Sequence, residues 1–280
     1  MTLRVALTQW AAGGEVSENL ATALALVEEA AAMSPDLVLL PENSLCLGTN
    51  EQMRGAALHV DSVEIEALRE AARKAGAAVV LGGFKRRDDS GGVFNTAIVI
   101  GEDGEVAALY DKIHLFDATV GGRTFSASSV EQAGDCPLLV EIMGVRIGVT
   151  ICYDVRFPEL YRRLARAGAE VLLVPSAFVR TTGGAHWEVL LRARAIENSA
   201  FVVASATVGA AGGPAFPTYG HALAVDPWGR VLADLGEAQR AWQVVELDLG
   251  EVERVRTALP ALRSARPDVY EREPVFVHVS

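Results

Sequence analysis

Residues 148–160 read GVTICYDVRFPEL. An apolar run of strand length ends on Cys152, and Tyr153, Asp154, Arg156, Pro158 and Glu159 follow at once. PELYRRLARAG then continues with helical spacing and stops at Gly168. The stretch is therefore a strand, a corner carrying a thiol, and a helix. Taken alone, Cys152 also fits a small core residue, because free cysteine is among the most buried residue types. The rest of the chain decides between a core thiol and a nucleophile.

The same alternation extends outward in both directions. Strand-like runs are LRVALTQ, DLVLLPE, AAVVLGGF, VFNTAIVI, EVAALYDK, LLVEIMG, VRIGVTIC, EVLLVPS, FVVASATV, HALAVDP, RVLADLG and WQVVELDL. Their β-branched residues and flanking Gly, Pro and Asp favour strands over buried helices. LLVEIMG and VRIGVTIC meet at Gly144, which predicts a hairpin. Helical patterns are SENLATALALVEEAAAM with Ser17 as N-cap, DSVEIEALREAARKAG ending at Gly76, PELYRRLARAG and AHWEVLLRARAIENS. Strands alternating with helices predict α/β layers, and the hairpin-like pairs predict mixed sheets. With about a dozen strands to so few helices, two packed sheets are expected rather than one. No fixed-period repeat, low-complexity linker or charge block divides the chain, so residues 1–280 read as one domain.

Composition narrows the function. Acidic residues outnumber basic ones 36 to 25, giving a formal net charge of −11, which argues against a nucleic-acid partner. A local arginine still leaves room for an anionic small molecule. Cys46, Cys136 and Cys152 are odd in number and widely spaced, so they form neither a disulfide framework nor a zinc pattern. Reduced thiols predict a cytoplasmic protein. MTLRVALTQW reads as a first strand rather than a signal peptide, and the apolar runs are too short to span a bilayer. GGR near Gly121 and TTGG near Gly183 lack a phosphate-loop context and read as loops at a pocket mouth, so no cofactor or metal is expected.

Three reactive side chains fall at three strand ends. DLVLL leads to Glu42, EVAALY to Lys112, and VRIGVTI to Cys152. Sites in open α/β sheets gather beyond the carboxyl ends of strands. A thiol needs a base or a cation beside it to become a nucleophile at neutral pH. Glu42 fits the base and later the acid, and Lys112 fits the cation that faces an oxyanion. The backbone N–H of Tyr153 is a second oxyanion donor, and the helix start after Cys152 favours negative charge.

LVLLPENS, YDKIHLFD and GVTICYDVRFPELYR resemble the nitrilase superfamily of carbon–nitrogen hydrolases, which use a Glu-Lys-Cys triad. The likeness continues through PSAFVRTTGGAHWEVLLRARAIEN and YGHALAVDPWGR, and so covers nearly the whole chain. It implies a four-layer αββα sandwich with two packed mixed β-sheets, and a homodimer or larger homo-oligomer. Cys152-Tyr153-Asp154 followed by Arg156-Phe157-Pro158-Glu159 resembles the amidase branch that contains omega-amidases and deaminated-glutathione amidases. The implied substrates are small amides carrying a carboxylate, for which Arg156 is the candidate cation; pairing with Glu159 or Asp154 is the alternative role. Phe178, Thr181 and Thr182 are candidate substrate contacts, with a surface turn as the alternative. The superfamily usually carries a second glutamate in a Phe-x-Glu-Ser-like stretch. Here Phe125-Ser126-Ala127-Ser128 puts Ala127 at that place, and Glu131, the nearest acid downstream, is the candidate substitute acid.

Three further readings remain. His114, His186 and His221 permit a Cys-His hydrolase, although hydrogen bonding or packing also explains each. The same triad also serves nitrile hydrolysis, and Ala127 allows an impaired binding or scaffold protein. Trp187 and Trp228 read as core or interface residues.

Overall fold

The computed structural model describes residues 1–210, 213 and 217–279. The chain runs β1 (Thr2–Trp10), α1 (Val16–Ala31), β2 (Leu37–Leu40), α2 (Asn50–Gly55), α3 (Val63–Ala75), β3 (Ala78–Arg87), β4 (Val93–Ile100), β5 (Val106–Asp111), β6 (Asp117–Val120), β7 (Arg123–Ser126), β8 (Leu138–Ile142) and β9 (Val145–Val149). It continues through α4 (Pro158–Arg166), β10 (Val171–Leu173), α5 (Arg180–Asn198), β11 (Phe201–Ala204), β12 (Ala206–Gly209), β13 (Thr218–Tyr219), β14 (Leu223–Val225), β15 (Val231–Asp234), β16 (Arg240–Asp248) and α6 (Leu249–Ala258), ending in two short helices at Ala261–Ser264 and Pro267–Tyr270.

Two sheets carry the fold. The first has the order β13-β12-β1-β2-β3-β4-β5, with β16 also paired to β1; the second has the order β15-β14-β11-β10-β9-β8. Both are mixed. In the first, β1, β2 and β3 are parallel while β4, β5 and β16 join antiparallel. In the second, β9, β10 and β11 are parallel, and β8 and β14 flank them antiparallel.

Period-two alternation decides which side chain faces which layer. Along β1, Leu3, Val5 and Leu7 point into the core shared with the second sheet, which includes Val149, Leu172 and Val203. The alternate residues Ala6 and Trp10 pack with Leu26, Val27, Ile65 and Leu68 of α1 and α3. β2 repeats the split: Leu37 and Leu39 face the second sheet, Val38 and Leu40 the helices. Leu164 of α4 and Leu191 of α5 close the far side. Each sheet is thus buried on both faces, which explains its near-continuous apolar runs. The result is the αββα sandwich.

Local chemistry explains most boundaries. α3 starts where the Ser62 side chain accepts from the Ile65 N–H, and it stops at Gly76, whose φ is +59°. The β8–β9 hairpin turns through Met143 and Gly144 at φ +52° and +74°, both left-handed as a two-residue hairpin turn of this twist requires. At Gly82 the sheets approach so closely that a Cβ would lie 2.0 Å from Pro175 Cβ and 2.3 Å from the Leu40 oxygen.

Three sequence expectations need correction. FVVASATV is two strands, because the chain crosses from the second sheet to the first at Ser205. The buried Ser205 hydroxyl holds that crossing: it accepts from the Thr8 N–H at 2.9 Å and donates to the Leu39 carbonyl at 2.7 Å. Ser17 lies inside α1, whose cap position is Glu15 without a side-chain cap bond. TTGG is no loop but the opening of α5, where Gly183 lets the helix sit against the Tyr219 ring.

Candidate active site

Glu42, Lys112 and Cys152 stand just beyond β2, β5 and β9 and line one cavity of about 280 Å³. The first two come from one sheet and the third from the other, so the sandwich itself brings them together. Glu42 and Lys112 are 2% and 3% exposed. Glu42 Oε1 accepts from Lys112 Nζ at 2.7 Å and from Asn95 Nδ2 at 2.9 Å, and Oε2 accepts from the Ala177 N–H at 2.8 Å. With both oxygens engaged, the carboxylate is fixed facing the cavity, not turned away from the thiol.

Cys152 occupies a strained corner. Its φ is +46°, in the left-handed region that side-chain-bearing residues seldom adopt. Cys152–Arg156 form a 3-10 turn between β9 and α4, and the Cys152 N–H donates to the Pro175 carbonyl at 3.0 Å. Asp154, fully buried, ties this corner down. It accepts from Tyr110 Oη at 2.7 Å, from the Ile151 N–H at 2.8 Å and from the His114 N–H at 3.2 Å. His114 Nδ1 also lies 2.7 Å from Asp154 Oδ1, and its ring stacks on Phe157 at 3.6 Å. His114 is two residues from Lys112, so Asp154 links the lysine segment to the cysteine corner.

The electrostatics assign the resting protonation. Burial opposes ionisation of Glu42, but Lys112 and then Lys85 outweigh it and hold the carboxyl below its ordinary value. Burial also disfavours the Lys112 charge, yet the Glu42 carboxylate, with Glu131 behind it, overrides this and holds the ammonium above its ordinary value. Burial, then the Glu42 carboxylate, push the Cys152 thiol well up against the pull of Lys112. The resting site is a carboxylate, an ammonium and a neutral thiol.

The other predicted residues divide. Tyr153, Arg156, Phe178, Thr182, Ala127 and Glu131 line the same cavity. Thr181 does not: it is exposed on the first turn of α5 and faces Gly121. Arg156 lies over the Phe178 ring at 5.0 Å, with one guanidinium nitrogen 3.2 Å from His186 Nδ1. Among the described residues it has no carboxylate within ion-pair distance, neither Asp154 nor Glu159. His221 pairs with Asp234 at 3.0 Å, and neither it, His114 nor His186 lines the cavity. Trp187 is core, its indole N–H donating to the His221 carbonyl at 2.8 Å, whereas Trp228 is exposed. The β6–β7 hairpin at Gly121 does border the cavity, through Thr124, Phe125 and Ser126.

Sequence reasoning missed Asn95, Ala177 and Lys85. Asn95 left a signal, since a lone amide inside the apolar run VFNTAIVI must find a buried partner. Lys85 left none.

A sandwich of this layout, with a buried carboxylate, ammonium and thiol in one cavity, defines a class of hydrolase. Residues 4–257 match the family described as carbon-nitrogen hydrolase, and the chain belongs to that family. It is 39% identical over 253 residues to the deaminated glutathione amidase of Synechocystis sp. (strain PCC 6803 / GT-S), covering 89% of this chain and 92% of that protein. It is 35% identical over 273 residues to the omega-amidase NIT2 of Mus musculus, covering 97% and 98%. The crystal structure of the C. elegans NitFhit protein superimposes with a TM-score of 0.89 at 37% identity, over 96% of this chain and 66% of that one. The chain is therefore a carbon–nitrogen hydrolase acting on amides. No helix among the described residues is long and apolar enough to cross a membrane, and no group of three or more His, Cys, Asp or Glu among them is placed to hold a metal ion.

Proposed function

We propose that residues 1–280 act as one catalytic domain that hydrolyses a small, carboxylate-bearing amide through a thioester on Cys152. The observation that carries this is the 2.7 Å Glu42–Lys112 ion pair facing a neutral thiol in a shared cavity. Glu42 takes the thiol proton as sulfur bonds to the amide carbon. The carbonyl oxygen becomes an oxyanion, held by the Lys112 ammonium and the Tyr153 backbone N–H. Glu42 passes its proton to the departing nitrogen, the C–N bond breaks, and ammonia or an amine leaves. Glu42 then removes a proton from water, whose oxygen attacks the thioester; the C–S bond breaks, Glu42 returns the proton to sulfur, and the acid departs. Neither step needs a cofactor.

The charge balance of the cavity supports an anionic substrate. Glu42, Lys85, Lys112, Glu131 and Arg156 are its charged residues. The two lysines and two glutamates pair with one another, which leaves the Arg156 cation uncompensated. A substrate carboxylate fits that guanidinium, with Phe178 beside it and Thr182 on the wall of the same cavity. The omega-amide of a 2-oxo acid and deaminated glutathione both have this chemistry. The exposed Trp228, Val189 and Ile196 fit a homodimer or larger assembly.

Ammonia release from α-ketoglutaramate and cysteinylglycine release from deaminated glutathione, with Cys152→Ala alongside, test the reading. Release that is lost in the variant supports it; release that survives at full rate overturns it.

A further inference from the structure

The same cavity contains a second ion pair that the reaction above does not use. Lys85 Nζ and the Glu131 carboxylate are in direct contact, with side chains 5% and 2% exposed. Both line the cavity. Lys85 sits opposite Asn95 across β3 and β4, and Asn95 is the residue whose amide holds Glu42. Glu131 lies four residues beyond Ala127, and its backbone N–H donates to the Ala127 carbonyl at 3.0 Å. One turn of chain therefore carries an acid back to the wall on which Ala127 stands.

A buried ion pair is a poor device for stability alone, because desolvating both charges offsets most of their attraction. The reaction gives it a reason to exist. When Glu42 accepts the thiol proton, Lys112 loses the charge of its direct partner. That loss comes at the moment its own charge must face the oxyanion, in a buried place. Glu131, on the wall of the same cavity, is a second carboxylate that favours the charged form of Lys112, and it takes up no proton in that step.

Building on the amidase reading, we propose that Lys85 and Glu131 act as one positioning unit for Lys112 and Glu42: Glu131 supplies the second carboxylate that position 127 lacks, and Lys85 anchors it by direct ion pairing. The two positions are thus expected to work only together.

The test compares wild type with Glu131→Gln, Lys85→Met, the double variant Lys85→Met/Glu131→Leu and the relocated acid Ala127→Glu/Lys85→Met/Glu131→Leu. Thermal unfolding first establishes folding. Two readouts follow: kcat and KM on α-ketoglutaramate, and the rate of Cys152 alkylation by iodoacetamide across pH. Each single variant is expected to lose about 10²-fold in kcat, the scale found when one preorganised electrostatic partner is removed, with little change in KM. Alkylation is expected to shift to lower pH in Glu131→Gln, which removes a negative charge, and to higher pH in Lys85→Met, which removes a positive one. The apolar double variant folds in either view of the pair, and it is expected to stay slow, with Ala127→Glu recovering at least tenfold. Full kcat in the folded double variant, or single variants that shift alkylation in the same direction or not at all, overturns the proposal. Alkylation requires no amide. Opposed shifts in a protein that leaves α-ketoglutaramate intact therefore support the pair while rejecting that substrate.

Discussion

Glu42 and Lys112 meet at 2.7 Å beyond the ends of two strands of one sheet, while the thiol they serve arrives from the other. The ion pair exists before substrate enters, so the carboxyl is ionised and the lysine charged at rest. The cysteine is neutral because burial, and after it that carboxylate, oppose its ionisation.

Neutralising Glu42 should therefore move two properties of Cys152 in opposite directions. Glu42→Gln removes the negative charge that holds the thiol proton, so alkylation by iodoacetamide should become faster at pH 7. Amide hydrolysis should fall by about 10²–10⁴-fold, the usual contribution of a general acid–base residue. A parallel fall in both rates would mean that the site had collapsed rather than lost its base.

Glu42 also links stability to pH. Its carboxyl is held below the ordinary value in the folded protein. The stabilisation is thus fully present above the unfolded carboxylate range, near ~4.3, and is lost as pH falls through the lowered folded value. The acid limb of a stability–pH curve should be shallower in Glu42→Gln than in wild type. Urea titrations from pH 7 to pH 3 measure this directly.

Asp154 should matter for folding as much as for rate. Asp154→Ala leaves the Tyr110 hydroxyl, the Ile151 N–H and His114 without their acceptor in a fully buried place. A loss of about 3–5 kcal/mol is expected, against about 1 kcal/mol for Tyr110→Phe, which removes one neutral partner. Chemical denaturation of the two variants tests the ratio.

Arg156 should set substrate charge. Arg156→Met is expected to raise KM for a carboxylate-bearing amide by about 10–100-fold, the worth of one charged hydrogen bond. KM for a neutral amide of similar size should change little. Equal effects on both would assign Arg156 to packing on Phe178 instead.

Gly82 should tolerate no side chain. The Cβ of Gly82→Ala would meet Pro175 and the Leu40 oxygen well inside contact distance. Both neighbours belong to segments that position Glu42 and Ala177. A cost of about 1–3 kcal/mol, the range for an overpacked core, is expected, and hydrolysis should suffer beyond what the lowered melting temperature explains. Thermal melts and ammonia release at one temperature separate the two effects.

The sequence by itself determined the layers and the three reactive groups. Strand and helix periods differ, so the alternation around Cys152 was readable, and Glu42, Lys112 and Cys152 stood out because each closes an apolar run. Tertiary structure alone decided what those groups touch. FVVASATV has one unbroken β pattern, yet Ser205 sends its halves to different sheets, because the partners Thr8 and Leu39 lie far away in the chain. TTGG carries a loop composition but begins α5, because Gly183 fits against Tyr219. Lys85 and Glu131 are 46 residues apart; Glu131 stands out only as the acid nearest Ala127, and Lys85 alone reads as a surface charge. Only burial, which is a property of the packed sandwich and not of any local run, turns them into a pair on the wall of the cavity that Lys112 lines.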